Sequence, residues 1–203
     1  MAQVLRARLE RDVPTLIDLL RVPRGLRDDG GNRPDVRCFA LRTLRKVGDE
    51  RAVEPILALL KDPEESVQLS ATIALGRIGD PRAIPPLLEI LGDSEDFLRR
   101  QPGFIGWQAF LRRPSATIQE HEITLRGRAL DSLASLGARA VLPTLLALLE
   151  HRDRYVREWA ARLLARLGDP TALPHLRTAE HRAPFGRRRK LRNARRQLER
   201  AAV

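Results

Sequence analysis

The chain has a single cysteine, Cys38, so it can form no internal disulfide and has no cysteine cluster to hold a metal. A reducing cytoplasm is the setting this implies. Long apolar runs are missing as well. None approaches the ~18 residues that a membrane span needs, so no membrane is expected among the partners. Residues 1–20 interleave apolar side chains with Arg6, Arg8, Glu10, Arg11, Asp12 and Asp18, the pattern of an amphipathic helix rather than a secretory leader. Aromatic residues number only eight, and lysine is rarer still, with Lys46, Lys61 and Lys190 the only three among 37 basic residues. No Ser-His-Asp ordering, glycine-rich phosphate loop or Cys-His signature occurs, and neither a catalytic residue nor a cofactor is expected.

What is present is ample for a folded core. Hydrophobic residues make up 43% and charged residues 31% of 203, a globular rather than a disordered balance. The formal charge of +11 is unevenly spread. Residues 177–203 carry a net +8 and residues 1–176 only +3, so a near-neutral body ends in a basic tail.

The dominant feature is an internal repeat. Val47-Gly48-Asp49-Glu50-Arg51-Ala52-Val53 recurs as Ile78-Gly79-Asp80-Pro81-Arg82-Ala83-Ile84, then as Leu136-Gly137-Ala138-Arg139-Ala140-Val141 and Leu167-Gly168-Asp169-Pro170-Thr171-Ala172-Leu173. The glycines at 48 and 79, and at 137 and 168, are one repeat apart, and about one repeat length of aberrant sequence separates the two pairs. Ahead of each glycine runs an apolar stripe: Val36, Ala40, Leu44, Val47; Val67, Ala71, Leu75, Ile78; Leu125, Ala129, Leu133, Leu136; Val156, Ala160, Leu164, Leu167. Offsets of 4, 4 and 3 put each stripe on one face of a helix. The glycine suits a C-cap with positive φ, and Asp49, Asp80 and Asp169 read as N-caps of the next helix, with Pro81 and Pro170 in its first turn. Such a helix pair cannot bury its stripe alone and must stack on its neighbours. The expected fold is an all-α solenoid of antiparallel helix pairs over residues 35–61, 65–92, 123–150 and 154–180.

The blocks GDERAVEPILALL, GDPRAIPPLLEIL and YVREWAARLLARLGDPTALP resemble the short HEAT-like, armadillo-type repeats named after phycobilisome lyases. The resemblance covers residues 35–92 and 123–176. It implies an armadillo-type superhelix and a choice of roles found among such proteins, from adaptors to bilin lyases. HEAT-repeat deoxyhypusine hydroxylases bind iron through several His-Glu pairs, whereas here only His121 of four histidines precedes a glutamate, so no metal site is expected.

Residues 1–180 are thus read as the solenoid and 181–203 as a basic C-terminal capping helix, with Leu191, Ala194, Leu198 and Ala201 as its narrow stripe. Residues 1–34 read as a degenerate cap, because Val13, Leu16, Ile17, Leu19 and Leu20 match the second-helix pattern, followed by a Gly/Pro/Asp-rich loop. Residues 93–122 are the interruption, and they hold Phe97, Phe104, Trp107 and Phe110 beside Arg112 and Arg113. Aromatic and arginine side chains on an insertion suit a partner-binding site. The alternative is a worn repeat whose aromatics fill the space of a missing helix. In the tail, Arg187, Arg188, Arg189, Lys190, Arg192, Arg195 and Arg196 form a candidate polyanion site, with a solvated end cap as the alternative. Cys38 reads as a packing cysteine and Trp159 as a structural tryptophan at the edge of the core.

The expected function is a non-catalytic scaffold or adaptor with a protein partner on its surface. Two alternatives stand beside it: a bilin lyase or chaperone of a pigment-protein system, from the resemblance alone, and a nucleic-acid-associated solenoid acting through the basic tail.

Overall fold

The computed structural model describes residues 12–22, 35–93, 98, 118–184 and 188–201. These residues form helices and contain no strand. The helices are α1 (Val13–Leu20), α2 (Val36–Val47), α3 (Val53–Ala58), α4 (Glu65–Ile78), α5 (Ile84–Leu91), α6 (Ile118–Ser135), α7 (Leu142–Leu149), α8 (Arg154–Leu167), α9 (Leu173–Arg182) and α10 (Arg189–Ala201).

The helices sort into two rows. In the first, α2 packs on α4, α4 on α6, α6 on α8 and α8 on α10. The second row is α1, α3, α5, α7 and α9, and each of these helices packs on the first-row helix that follows it in the chain. The apolar stripes explain the stacking. Ala40, Ala71, Ala129 and Ala160 are wholly buried, as are Leu44, Leu75, Leu133 and Leu164 one turn on. Each fully buried leucine contributes about 1.5–3 kcal/mol, and the alanine column lets the next helix approach. Helix α1 takes a second-row position, with Leu16 and Leu20 buried and the helix packed on α2.

The turns follow the repeat with one refinement. Gly79 has φ +88°, and its N–H donates to the Leu75 carbonyl at 3.2 Å, the left-handed C-cap that a β-branched residue resists. Gly48 and Gly168 repeat the arrangement. Asp49, Asp80 and Asp169 cap a single 3-10 turn (Glu50–Ala52, Pro81–Ala83, Pro170–Ala172) rather than the α-helix itself, which starts only after that turn. The Asp80 carboxylate accepts from the Arg82 backbone N–H at 2.8 Å and from the Arg82 guanidinium at 2.6 Å. Side-chain hydrogen bonds from Arg51, Arg82 and Thr171 hold Asp49, Asp80 and Asp169 respectively below the ordinary carboxylate pKa. Their folded-state values lie under those of the unfolded chain. This stabilisation is therefore full above the unfolded-state carboxylate pKa and is lost as pH falls through the folded values. The third copy has Ala138 at the aspartate position, and its following residue, Arg139, instead reaches Asp169 of the next copy at 3.2 Å.

A column eleven residues before each glycine ties the repeats together. Gln68 donates to the Asp62 carbonyl at 2.6 Å, and Arg157 donates to the carbonyls of His151 and Arg152. Arg37, in the same column, is only 5% exposed. It donates to Asp35 at 2.6 Å and to Asp62, which is itself 8% exposed and also accepts from the Glu64 N–H at 2.8 Å.

The interruption does not part the first row. Helix α4 packs directly on α6, although some forty residues separate them in the chain. Gly76 makes this possible. A Cβ there would lie 2.7 Å from the Ser132 Cα and 2.4 Å from its Oγ, and Ser132 Oγ donates to the Thr72 carbonyl at 2.9 Å.

Candidate interaction surface

The outward side of the first row is set by two columns, six and two residues before each glycine. They contain Arg42 and Lys46 on α2, Ile73 and Arg77 on α4, Asp131 and Ser135 on α6, and Arg162 and Arg166 on α8. Both columns project between the buried stripe positions, so their side chains face away from the second row. Arg42, Lys46, Arg77, Arg162 and Arg166 are all exposed. Arg45 lies among them, and burial together with the charges of Arg42 and Arg77 lowers its pKa. Asp131 is the acid of these two columns, and Arg128 and Arg166 stand 3.6 and 3.8 Å from it. The first row therefore presents a face rich in arginine. The exposed acids Glu54, Glu89 and Glu150 sit on second-row helices or turns, where Arg82, Lys61 and Arg182 of neighbouring copies pair with them. Such exposed pairs add little stability.

The face contains a depression. Where α4, α6 and α8 meet, the small residues Gly76, Ser132 and Ser135 leave a cavity of about 210 Å³ ringed by Arg77, Arg128, Arg162 and Arg166. Arg166 donates to Ser135 Oγ at 3.1 Å, and Ser135 Oγ to the Asp131 carbonyl at 2.9 Å.

The residues singled out from sequence fare differently. Phe97, Phe104, Trp107, Phe110, Arg112, Arg113 and Arg187 lie outside the described residues, as does the loop over 23–34. In the tail, Arg188 caps the end of α9, donating to the Ala183 carbonyl at 2.7 Å and to the His181 carbonyl at 3.1 Å. Lys190 pairs with Glu158 at 2.7 Å, Arg192 with Glu180 at 2.8 Å, and Arg195 with Glu180 at 2.9 Å and Glu199 at 2.7 Å. Burial alone would raise the Glu180 pKa, but hydrogen bonds from Arg192 and Arg195 bring it below its usual value. Arg189, Arg196 and Arg200 remain exposed, the last two beside Asn193 and Gln197 along α10. Much of the tail's charge is thus turned inward onto α8 and α9.

Cys38 is buried, 3.6 Å from the Ser66 hydroxyl, in keeping with a packing role. Trp159 is 5% exposed and belongs to the core. No group of three or more metal-ligating side chains occurs among the described residues. The arginine columns were open to view in the repeat. Lys46, Arg77 and Arg166 each stand two residues before a glycine, a regularity that a count of charge along the chain averages away.

The stacked pairs and the surface they expose define a repeat solenoid. The chain belongs to the HEAT-repeat family, whose model matches residues 25–103 and 115–194. No curated protein matches it. Among solved structures it is similar to the complex of CpcE and CpcF of phycocyanin lyase from Nostoc sp. PCC7120, with 20% identity over 95% of this chain and 85% of that one and a TM-score of 0.47. It is also similar to a computationally designed armadillo repeat protein for modular peptide recognition, with 17% identity, coverage of 96% and 85%, and a TM-score of 0.41. A third is human deoxyhypusine hydroxylase, with 18% identity, coverage of 95% and 91%, and a TM-score of 0.34.

Proposed function

We propose that this HEAT-repeat chain is a non-catalytic scaffold that holds an acidic protein partner on the outward face of its first helix row. The observation that carries this reading is the set of exposed Arg42, Lys46, Arg77, Arg162 and Arg166 on α2, α4 and α8 of that row, with Asp131 of the intervening α6 as the acid of the same two columns. Arginine is favoured in interface hot spots because its planar fork donates two parallel hydrogen bonds to a carboxylate, and a field of one sign speeds encounter with an oppositely charged partner. In this reading Phe97, Phe104, Trp107 and Phe110 offer apolar contacts to the partner, with Arg112 and Arg113 beside them in the sequence.

The test is quantitative co-purification from the native host. Arg42→Glu with Arg162→Glu is expected to lower recovery of the partner by about tenfold or more, because like charges opposed at an interface are costly. Arg51→Glu with Arg152→Glu, on turns of the opposite row, is expected to leave recovery unchanged. Trp107→Ala is expected to lower it without moving the melting temperature. Equal recovery with the first-row and the turn variants would contradict the assignment of the face.

A further inference from the structure

The cavity between α4, α6 and α8 is more specific than the face around it. Its four guanidiniums and one carboxylate leave a net charge of +3. Arg128 and Arg166 stand 3.6 and 3.8 Å from Asp131, beyond direct hydrogen-bond reach, so this acid does not use up their donors. Arg77 and Arg162 have no acidic partner among the described residues. The Arg128 side chain is partly exposed at the cavity, although its Nε–H is shielded within the packing of α6. The Ser132 and Ser135 hydroxyls already donate to backbone carbonyls, so the unspent donors are all guanidinium N–H groups.

We infer that this cavity is a binding site for a phosphoryl group, held between Arg77, Arg128, Arg162 and Arg166. A carboxylate has one charge and two oxygens in one plane, which a single guanidinium fork satisfies. A phosphoryl dianion carries about −1.5 to −2 and three acceptor oxygens at tetrahedral angles. It matches donors that converge from three helices and a surplus of +3. The volume, about 210 Å³, is several times what a water molecule occupies and holds such a group with part of its hydration. Occupancy would neutralise the repulsion among the four arginines and clamp α4, α6 and α8 together across the interruption. The inference is independent of the scaffold reading, since a chain that binds no phosphate could still carry an acidic partner on the same face.

The full-length protein is titrated by calorimetry with inorganic phosphate and with a phosphoserine peptide, at ionic strength fixed with sodium chloride. The same peptide with glutamate in place of phosphoserine serves as the carboxylate comparison. Saturable binding at about 1 mM or tighter is expected for a phosphate probe. Arg77→Gln with Arg162→Gln is expected to weaken it by about tenfold or more, since each charge-assisted hydrogen bond is worth roughly that factor. Both side chains are exposed, so the melting temperature without ligand should not change. Arg196→Gln with Arg200→Gln on α10 should leave affinity as it is. A peptide at least about tenfold tighter than inorganic phosphate would show the group to be borne by a phosphorylated partner, and equal affinities would show a free phosphate. No saturation by about 10 mM, undiminished affinity in the Arg77/Arg162 variant, or equal binding of the glutamate peptide would each overturn the inference. So would a generic duplex binding more tightly than either phosphate probe and losing that affinity in the same variant.

Discussion

Gly76→Ala is expected to lower stability by about 1–3 kcal/mol, although glycine to alanine inside a helix ordinarily gains about 1 kcal/mol. The sign is set by the neighbour. The new Cβ would meet the Ser132 Cα at 2.7 Å, and this is backbone of α6 that cannot rotate aside. Relief requires α4 and α6 to move apart, which strains the Ser132 to Thr72 hydrogen bond and loosens the one first-row contact that spans the interruption. The corresponding positions in the other copies are Arg45, Ala134 and Ala165, so the repeat itself tolerates a Cβ there and only this crossing does not. At about 2–4 °C per kcal/mol for a chain of this size, the loss is readable as a fall in melting temperature. A neutral or stabilising result would show that α4 and α6 do not approach as closely as described.

Arg37→Leu has the larger expected effect, about 3–5 kcal/mol in urea denaturation at neutral pH. The guanidinium sits between Asp35 and Asp62 with its side chain 6% exposed, and hydrogen bonding to Asp35 raises its pKa, so it is charged throughout. Its removal leaves the Asp62 carboxylate buried with only the Glu64 N–H to receive, and the α2 start loses its tie to the turn after α3. The double variant Arg37→Leu with Asp62→Asn removes the stranded charge and should recover part of the loss. A single-variant effect below about 1 kcal/mol would mean that water reaches this cluster in the folded state.

Which of these features could be seen in the sequence follows from the range of the interactions behind them. The 4-4-3 spacing of Val67, Ala71, Leu75 and Ile78 depends on one helix alone, and the structure wholly buries the first three and partly buries Ile78. The glycine caps are equally local, since Gly79 needs only its own φ and the Leu75 carbonyl. The pattern of Leu16 and Leu20 on α1 is local in the same way, since it depends on that helix alone. The 3-10 turn after each aspartate was not readable, as an N-capping aspartate opens either kind of helix. The α4–α6 crossing depends on residues far apart in the chain, and Gly76 looks in sequence like a mere weakness in a helix. The pairing of the tail is hidden for a related reason. Its arginines are dense along the chain, but Glu158 and Glu180 come from other helices to meet Lys190, Arg192 and Arg195. The opposite holds for the body, whose near-neutral total hides a face of arginines sorted by helical phase.

That face is the centre of the account, and photo-crosslinking tests it most directly. A benzoylphenylalanine placed singly at Arg42, Lys46 or Arg162 on the first row, or at Arg51, Glu89 or Arg152 on the opposite row and its turns, reports which side a bound partner touches in the native host. All six positions are exposed, so each variant should fold. One common partner is expected to crosslink from the three first-row positions and not from the other three. Crosslinks to that partner from Arg51, Glu89 and Arg152 alone, with none from the first row, would contradict it.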